Sequence, residues 1–455
     1  MASTRIHRTS GTPTNTKKFT LSFWCKKTDL DVDQFVFNTT TDANNRCQVQ
    51  FSDTDQLDFI CKVSGSNVAR LKTTRKFRDQ SAFYHIVAVL DTTESTNTDR
   101  IKLYINGEQN LSANNGFASE TYPSQDADVN VSGTHTVGSY YNGSSASNYF
   151  NGLLTHVHFI DGTAYQASTF GETDSTSGIW VPKTAPSVTY GNNGFFLKFE
   201  NSGNLDVDSS SNNHTFTTAG TLTQQTDTPN NVFPCWNPYI NDGEGGIWSN
   251  ANLTIAPDGD TSYMYAPITM PVSKGKWYSE HMITGGNGHG SIGFAGASII
   301  SDVFRNGNEP GNNANTFAFR CIGGGIKMAD ANTSYGSAPG TSDAILGIAV
   351  DIDNQKFWVS VNGTYVTYGG GVGDPAGGNY GFDWSSLSDD FGWLMICGDS
   401  ENNGYGNFKS NFGSGFFGTT AVASANADAN GHGAFEYAVP SGYYAICTKN
   451  IKEFG

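Results

Sequence analysis

The sequence predicts an all-β protein made of two β-sandwiches in tandem, with little helix. Two strand–turn–strand patterns support this prediction, FYHIVAVLD followed by RIKLYING at 83–107, and AILGIAVDID followed by KFWVSVNG at 344–363. Each contains short runs of apolar and β-branched residues that end in turn formers, which is typical of β-hairpins. The composition agrees, because only 15% of the 455 residues are charged and 53 are Gly. No long segment shows the apolar period of a helix.

Strand candidates follow one another through the first half of the chain. A polar, Thr-rich arm leads into the first strand, and further strands are predicted at 19–26, 34–38, 46–51, 57–62, 83–91, 100–106, 150–160 and 194–200. Residues 221–243 are rich in Thr, Asn and Pro, which indicates a linker. We therefore expect a first domain over 1–230, with a turn-rich C-terminal extension, and a second domain over 231–455. In the second half, strand-like segments run from KWYSEHMIT to a final one, GYYAICTKN at 442–450.

The charge balance argues against a nucleic-acid partner. The formal net charge is −16, and an acidic surface repels phosphate backbones. One basic run stands out against this background, and it contains Arg70, Lys72, Arg75, Lys76 and Arg78. It is interpreted either as a solvated strand edge or loop, or as a docking surface for an acidic partner.

The cysteines predict free thiols. The chain has seven of them, with no CxxC motif and no zinc-like spacing. Cys25 and Cys397 lie in apolar strand candidates and are expected to be small buried side chains. Free thiols favour folding in a reducing cytoplasm. The N-terminus lacks the apolar core of a signal peptide, and no run of 18 apolar residues predicts a membrane span.

Two loops combine aromatic residues with Gly, Ser and Asn, as carbohydrate-binding loops do. The first, SYYNGSSASNYFNG, contains Tyr140, Tyr141, Asn142 and Tyr149, and the second, GGNYGFDWSS, contains Tyr380, Phe382 and Trp384. Amphipathic aromatic side chains at loop tips suit glycan or protein partners. The alternative is that half of these rings pack beneath their own loops.

Two patterns suggest metal ligands. Asp206, Asp208, Ser210 and Asn212 alternate as in the oxygen-rich start of a calcium loop. The later bidentate Glu and the central Gly of such loops are missing, so an Asx-turn loop is the alternative. His156 and His158 share a predicted strand face, where they form either half of a metal site or two polar residues on the outer surface.

Several segments carry family resemblances. FTLSFWCKK, FYHIVAVLD with RIKLYINGE, and the Gly–aromatic–Gly pattern before Val157 and Phe159 resemble a laminin-G-like, concanavalin A-like jelly roll over 19–160. KGKWYSEHMI, GSIGFAG, ILGIAVDIDNQKFWVSVNG and FKSNFGSGFF resemble a SPRY-type domain, also a concanavalin A-like sandwich, over 241–455. The tail AFEYAVPSGYYAICTKNI resembles the C-terminal pattern of many bacteriophage virion proteins, and the segment at 189–217 resembles linkers in marine-phage fibre proteins.

Catalytic carboxylates are hard to place in this resemblance. Laminarinase-like enzymes of the same fold place an acid and a nucleophile on one strand through the pattern E-x-D-x-x-E. Glu172 and Asp174 match only its first half, in a loop-like segment. Asp351 and Asp353 alternate at a strand end, where Asp more often stabilises a turn. We therefore predict that the protein is not an enzyme.

The resemblance implies a non-enzymatic virion protein of a bacteriophage, such as a fibre, an appendage or a capsid-surface protein. Such a protein would be made in the host cytoplasm, lie on the virion surface and attach to host-surface glycans. Its partners would be other virion proteins and copies of itself, with a trimer favoured, and no cofactor is expected unless calcium binds. Two alternatives remain, a purely structural decoration protein that binds no glycan, and a polysaccharide-degrading enzyme.

Overall fold

The computed structural model divides into two compact units, Met1–Gln224 and Gln225–Gly455. It describes residues 3–240, 246–257, 265–284, 290–300, 309–321, 324–336, 343–398 and 407–455. Apart from four short 3₁₀ turns, nearly all regular structure in these ranges is β-strand, and each unit contains two large sheets. The prediction of an all-β protein with two tandem sandwiches and little helix is confirmed. The predicted boundary between 230 and 231 lies close to the division between the units.

The first unit is built from strands that are mostly antiparallel. In chain order they are β1 (Arg5–Thr9), β2 (Lys18–Lys27), β3 (Gln34–Asp42), β4 (Asn45–Phe51), β5 (Gln56–Val63), β6 (Ser66–Lys76), β7 (Tyr84–Asp91), β8 (Ile101–Ile105), β9 (Glu108–Gln109), β10 (Phe117–Thr121), β11 (Thr134–Val137), β12 (Tyr140–Tyr141), β13 (Ala146–Ser147), β14 (Gly152–Asp161), β15 (Gly171–Thr173), β16 (Trp180–Pro182), β17 (Phe195–Leu197) and β18 (Thr217–Ala219). The eight-stranded sheet has the order β10-β6-β5-β4-β3-β11-β1-β18, and the six-stranded sheet has the order β17-β14-β2-β7-β8-β9.

The core of the first unit lies between these two sheets. Side chains from both sheets form one buried cluster, in which Phe37 of β3 meets Phe159 of β14 with ring centroids 5.4 Å apart. The outer face of the six-stranded sheet is buried as well, because the segment after β14 packs Phe170 and Trp180 against Val87 and Val89. A strand covered on both faces needs apolar residues at every position. This explains why FYHIVAVLD lacks the alternation of polar and apolar residues.

The eight-stranded sheet differs, because its outer face is polar. Along β4, Cys47, Val49 and Phe51 point into the core cluster, whereas Arg46, Gln48 and Gln50 alternate with them. This period of two separates an apolar core face from a polar outer face. On the outer face Gln48 and Gln50 are buried among their polar neighbours, whereas Arg46 is partly exposed. Besides its sheet neighbours β4 and β11, β3 is contacted by the short hairpin of β12 and β13. The outer face of the eight-stranded sheet is therefore the place to look for a binding surface in this unit.

The prediction that all cysteines are free thiols is wrong for two of them. Cys47 on β4 and Cys61 on β5 are directly paired in the sheet, their Cα atoms lie 4.1 Å apart, and a disulfide joins them. Residues that face one another on neighbouring strands come close enough for such a bond, provided that the register is right. The other five cysteines are buried, as expected for small apolar side chains. Burial raises the pKa of the Cys25 and Cys321 thiols, so these thiols stay protonated at neutral pH.

The second unit repeats the two-sheet plan. Its strands are β19 (Gly246–Ser249), β20 (Thr254–Pro257), β21 (Tyr265–Pro267), β22 (Lys276–Thr284), β23 (Ser291–Gly296), β24 (Thr316–Arg320), β25 (Gly325–Met328), β26 (Ala331–Ser334), β27 (Ile345–Asp351), β28 (Lys356–Val361), β29 (Thr364–Tyr365), β30 (Thr367–Tyr368), β31 (Gly371–Val372), β32 (Phe382–Asp383), β33 (Trp393–Gly398), β34 (Asn407–Asn411), β35 (Phe416–Phe417), β36 (Thr420–Ala421) and β37 (Tyr444–Ala445). The chain ends in helix α1 (Thr448–Phe454). The predicted final strand at 442–450 is therefore only two residues long.

Aromatic side chains join the two sheets of the second unit. One sheet is centred on β20-β34-β22-β27-β28 and the other has the order β21-β33-β23-β24-β25-β26. Phe317 of β24 meets Phe357 of β28 edge to face, with ring centroids 5.2 Å apart. The buried Glu280 of β22 accepts hydrogen bonds from the backbone N–H groups of Glu436 (2.7 Å) and Tyr437 (2.8 Å), which attaches the C-terminal segment to the sheet. In the part of the chain that the structure describes, no helix has the length and apolar character needed to cross a membrane.

Candidate functional site

The hairpin of β12 and β13 presents the first aromatic loop at the outer face of the eight-stranded sheet. Tyr140 pairs with Ser147 and Tyr141 with Ala146, and the turn between them is closed by Asn142. Asn142 Oδ1 accepts hydrogen bonds from the backbone N–H groups of Ser144 (2.9 Å) and Ser145 (2.8 Å). This is the local bonding that Asn favours in tight turns. The side chain of Asn142 therefore shapes the loop, rather than standing free as a ligand group.

Tyr140 is held as a flat, half-buried ring. Its centroid lies 4.8 Å from that of Phe35, and the Arg46 guanidinium carbon lies 5.3 Å from the ring centre on a cation–π contact. Aromatic and cation–π contacts of this kind fix a ring at little entropic cost. A ring fixed in this way is suited to stacking against a sugar or another flat group.

The other two residues of this loop support the hairpin. The Arg5 guanidinium carbon lies 5.8 Å from the Tyr141 ring centre, and the Tyr141 hydroxyl donates to the Gly143 carbonyl at 2.9 Å. The side-chain amide of Asn38, on β3, donates to the Tyr141 carbonyl at 2.8 Å. Tyr149 is half-buried and forms a parallel bridge with Phe35. The structure thus brings the four predicted residues of this loop into one neighbourhood, in which Tyr140 and Tyr141 have the cationic contacts.

A row of hydrogen-bonded polar side chains lies beside Tyr140 on the outer face. Arg46 Nε donates to Gln48 Oε1 (2.7 Å), and Gln48 Nε2 donates to Gln50 Oε1 (3.0 Å). On the next two strands, Arg70 Nε and Nη2 donate to the two carboxylate oxygens of Asp58, at 3.0 and 2.6 Å. Such a bidentate pair holds the guanidinium in one orientation. Sequence reasoning missed this row, although the polar–apolar alternation of β4 was a signal for it.

The second aromatic loop does not form a matching cluster. Trp384 is fully buried, with its ring 5.2 Å from Phe317 and 4.6 Å from Trp393, so its prediction as an exposed ligand-binding residue is wrong. Phe382 is buried as well. The side chains alternate into the core of the second unit because the segment pairs with β28. Only Tyr380, which is 48% exposed, remains available to a partner.

The proposed calcium ligands mostly bond to their own loop. Asp208 is buried and accepts from the backbone N–H groups of Phe196 (2.9 Å), Ser210 (2.9 Å) and His214 (2.8 Å). Asn212 donates its amide to the carbonyls of Gly191 and Gly194, and Asp206 accepts from the Thr218 hydroxyl. This is the bonding of an Asx-turn loop, the alternative interpretation. Among the residues that the structure describes, no group of three or more His, Cys, Asp or Glu could hold a metal ion.

The histidine pair lies in an apolar setting. A bulge in β14 precedes His158, and both rings pack on Phe196, with centroids 5.7 Å away for His156 and 3.7 Å for His158. His158 is buried and its Nδ1 lies 3.0 Å from the Tyr190 hydroxyl. Burial lowers the pKa of His158 well below its ordinary value and that of His156 to about 4, so both rings are neutral at pH 7.

The carboxylates considered for catalysis are used in turns and ion pairs. Asp174 accepts from the Ser177 backbone N–H at 2.6 Å, beside the two-stranded ribbon of β15 and β16 that contains Glu172. Asp351 is buried and bonds to the Asn354 backbone and to Lys276 Nζ (3.1 Å). Asp353 accepts from the Gly275 backbone N–H at 3.1 Å. Asp174 and Asp351 thus have the local partners of a turn-stabilising Asp, whereas Asp353 bonds to a distant segment of the chain.

Comparison with known proteins identifies the first unit more clearly than the second. SPRY domains are among the similar solved structures, and that of human HERC1 has 11% identity, covers 38% of this chain and 96% of its own, and gives a TM-score of 0.27. A pentraxin from Limulus polyphemus has 13% identity, coverages of 43% and 88%, and a TM-score of 0.29. The LG4-5 domains of the mouse laminin alpha1 chain have 7% identity, coverages of 90% and 85%, and a TM-score of 0.30.

No curated protein is significantly similar to this chain in sequence. At such low TM-scores, the sandwich architecture of each unit rests on its own strand topology. One family model does match, that of the concanavalin A-like lectin/glucanases superfamily, over residues 3–169. The matched segment contains β1 to β14 of both sheets and the Tyr140 hairpin. The first unit is therefore a β-sandwich of the concanavalin A-like type.

Proposed function

We propose that this protein is a non-enzymatic carbohydrate-binding protein, and that it serves as a fibre, appendage or surface protein of a bacteriophage virion that attaches to host-surface glycans. The observation that carries the carbohydrate-binding proposal is the fixed Tyr140 ring beside a hydrogen-bonded polar face on the first unit. Sugar binding needs a flat apolar surface next to oriented polar groups. Tyr140 and its partly exposed neighbour Arg46 supply these, and the buried Gln48 holds the Arg46 guanidinium in place. The virion assignment rests on the resemblance of the C-terminal segment.

The partners of the candidate carboxylates support a binding role over a catalytic one. The family model that matches the first unit covers both lectins and glucanases, so fold alone does not decide between them. Glycoside hydrolysis needs two carboxyl groups that face a common sugar site. Asp174 and Asp351 instead accept hydrogen bonds within backbone turns, and Asp353 accepts one from the distant Gly275. The carboxylates that the sequence analysis considered therefore do not support the polysaccharide-degrading alternative.

The direct test of carbohydrate binding compares three purified full-length proteins on a glycan array and in host-cell adsorption. Tyr140→Ala removes the fixed ring and should weaken binding at least about tenfold, as expected for an aromatic anchor residue. Tyr380→Ala is the matched control, because it removes an exposed tyrosine of the second unit. Equal losses for the two variants would contradict the assignment of the site to the first unit.

The structural alternative is tested in the same preparation. Tight binding to virion shells with no binding to cells or glycans would favour a decoration protein and would contradict the attachment proposal. Self-association, for which we propose a trimer, is measured by sedimentation equilibrium. Several weak sites on one oligomer would raise the overall affinity through effective concentration.

A further inference from the structure

Two positive charges face one another on the outer side of the eight-stranded sheet. Arg46 of β4 and Lys62 of β5 are directly paired across the strands, on the face opposite the core. Side chains in such pairs have Cβ atoms about 5 Å apart, and like charges there destabilise the sheet. A chain with a net charge of −16 could easily supply a carboxylate at one of these positions. The pair therefore lowers the stability of the free protein in a way that the fold does not require.

More positive charge adjoins this pair on the next strand. Arg70 and Lys72 of β6 lie opposite Ile60 and Asp58 of β5, also on the outer face. These four basic residues, Arg46, Lys62, Arg70 and Lys72, form what we call the cationic face. Burial, and then repulsion from Arg46 and Arg70, lowers the pKa of Lys62 below its ordinary value. Arg46 and Arg70 thus both repel the charge of Lys62.

Among the residues that the structure describes, Asp58 is the one carboxylate in an ion pair with the cationic face. Asp58 pairs with Arg70, whereas Arg46, Lys62 and Lys72 form no ion pair with any residue that the structure describes. Asp42 lies near Arg46 but accepts hydrogen bonds from Asn44 and Asn45. Elsewhere in the unit, lysines such as Lys17, Lys18 and Lys198 each pair with a carboxylate. Three residues of the cationic face, Arg46, Lys62 and Lys72, therefore lie close together without a carboxylate at ion-pair distance among the described residues.

We propose that the cationic face binds the acidic groups of a negatively charged polysaccharide, with the Tyr140 ring as a stacking platform at its edge. This inference rests on the proposed carbohydrate-binding function and names the class of glycan. Arg46 connects the two parts, because it contacts the Tyr140 ring and is also paired with Lys62. The strands β4, β5 and β6 together span about 10 Å, which is the scale of a short oligosaccharide. A bound acidic group would relieve the repulsion between Arg46 and Lys62.

The arrangement favours a polysaccharide over nucleic acid or an acidic protein. A net charge of −16 opposes an extended polyanion such as DNA. Salt limits the reach of exposed charges to about 8–10 Å, so the cationic face still attracts short, spaced acidic groups. A ring held flat beside the charges is a feature that a sugar uses and that a general salt-bridge surface does not need.

The test measures binding of polygalacturonate oligosaccharides and of neutral maltooligosaccharides of the same length to the full chain, by calorimetry at low and at physiological salt. Lys62→Gln and Arg46→Gln should each weaken acidic-glycan binding at least about tenfold, and added salt should weaken binding to the unaltered protein. Lys452→Gln, on the exposed side of α1, is the control with the same change of charge and should bind as the unaltered protein does.

A second measurement separates loss of a ligand contact from loss of structure. Because Lys62→Gln removes repulsion, the thermal midpoint of its ligand-free form should be equal to or higher than that of the unaltered protein. Equal affinity for neutral and acidic glycans, unaffected by Lys62→Gln, would overturn this inference and leave the proposed function standing. Absence of binding to either glycan and to host cells would remove both. Equally tight binding of single-stranded DNA would overturn the inference by showing a general polyanion surface.

Discussion

The two aromatic loops of this protein look alike in sequence but are used in different ways. In the first unit, the loop folds back as the β12–β13 hairpin and holds Tyr140 half-exposed between Phe35 and Arg46. In the second unit, the loop pairs with β28 and turns Phe382 and Trp384 into the core. The difference shows that aromatic residues of a Gly-rich loop become part of the core when the loop pairs with a central strand, as with β28, and stay partly exposed when the loop pairs only with itself.

The two units also differ in the ionisable groups that they bury. The first unit buries His85, His135 and His158, whereas the second buries His281 and the carboxyl group of Glu280. Burial lowers the pKa of His85, His135 and His281 to about 3, and it raises the pKa of Glu280. The first unit therefore contains more groups that resist protonation in the folded state.

Among the substitutions in the two loops, removal of the buried Trp384 ring should have the largest effect on stability. Trp384→Ala should lower the free energy of unfolding by about 3–5 kcal/mol, because it leaves a cavity against Phe317 and Trp393. Urea denaturation followed by the fluorescence of the remaining Trp residues measures this loss. At temperatures where the second unit of the Trp384→Ala variant is still folded, the variant should bind glycan as tightly as the unaltered protein does. A stable Trp384→Ala variant with weakened binding would reverse the roles that we assign to the two loops.

Lowering the pH should reduce the free energy of unfolding of the first unit more than that of the second. Below pH 6.5, the ordinary pKa of about 6.5 of a histidine in the unfolded chain means that the unfolded state binds protons. The buried histidines of the folded state stay neutral there. Each such histidine then costs about 1.4 kcal/mol of stability per pH unit until its folded pKa is reached. His156, whose pKa burial lowers to about 4, is a fourth such histidine beside His85, His135 and His158, so the first unit should lose about 4 kcal/mol between pH 6.5 and 5.5.

The second unit should respond less to the same change. It has one such histidine, His281, among its described residues. Burial raises the pKa of Glu280, so the folded state binds a proton at this carboxyl group more readily than the unfolded state does. The contribution of Glu280 to the free energy of unfolding therefore increases as the pH falls towards the pKa of this group in the unfolded chain. Hydrogen exchange at pH 7.0 and 5.5, resolved by peptide, measures the two units separately. A larger loss of amide protection in the second unit than in the first between pH 7.0 and 5.5 would contradict this prediction.

The smallest expected difference is between the two exposed tyrosines. Tyr140→Ala should cost about 1 kcal/mol of stability, since it removes the contacts with Phe35 and Arg46. Tyr380→Ala should cost about 0.5 kcal/mol or less, because its ring is 48% exposed and covers chiefly Gly371. Thermal unfolding of the two variants measures both values. A larger loss for Tyr380→Ala would show that this ring supports its loop more than its exposure indicates.

Much of the fold could be predicted from the sequence, since apolar runs mark strands wherever they are buried. The predicted strand at 83–91 matches β7 almost residue for residue, because both faces of this strand are covered. The sequence does not identify β6 as a strand, and its basic run fits a strand edge or a loop equally well, because its outer face is polar and its core residues, such as Ala69 and Leu71, are few. Strand signals weaken where only one face is buried.

The site was harder to predict because its residues meet only through strand pairing. Tyr140 could be proposed from its loop, but its contacts with Phe35 and Arg46 depend on the register of β3 and β4. Trp384 was misplaced for the same reason, since no sequence pattern showed that its segment pairs with β28. The cationic face combines residues from three strands, of which the sequence brought only Arg70 and Lys72 together.

The Cys47–Cys61 disulfide lies one residue from the opposed Arg46 and Lys62 on each strand. It closes a short loop, with a sequence separation of 14 residues, and such a cross-link stabilises a fold by about 3 kcal/mol in the chain-entropy account. It also acts as a covalent clamp, because β4 and β5 cannot slip or separate to relieve the repulsion between their charges. The β4–β5 pair should therefore separate most easily in reduced protein at low ionic strength. Samples prepared with and without a thiol reagent should differ in how readily these two strands of the proposed binding surface separate.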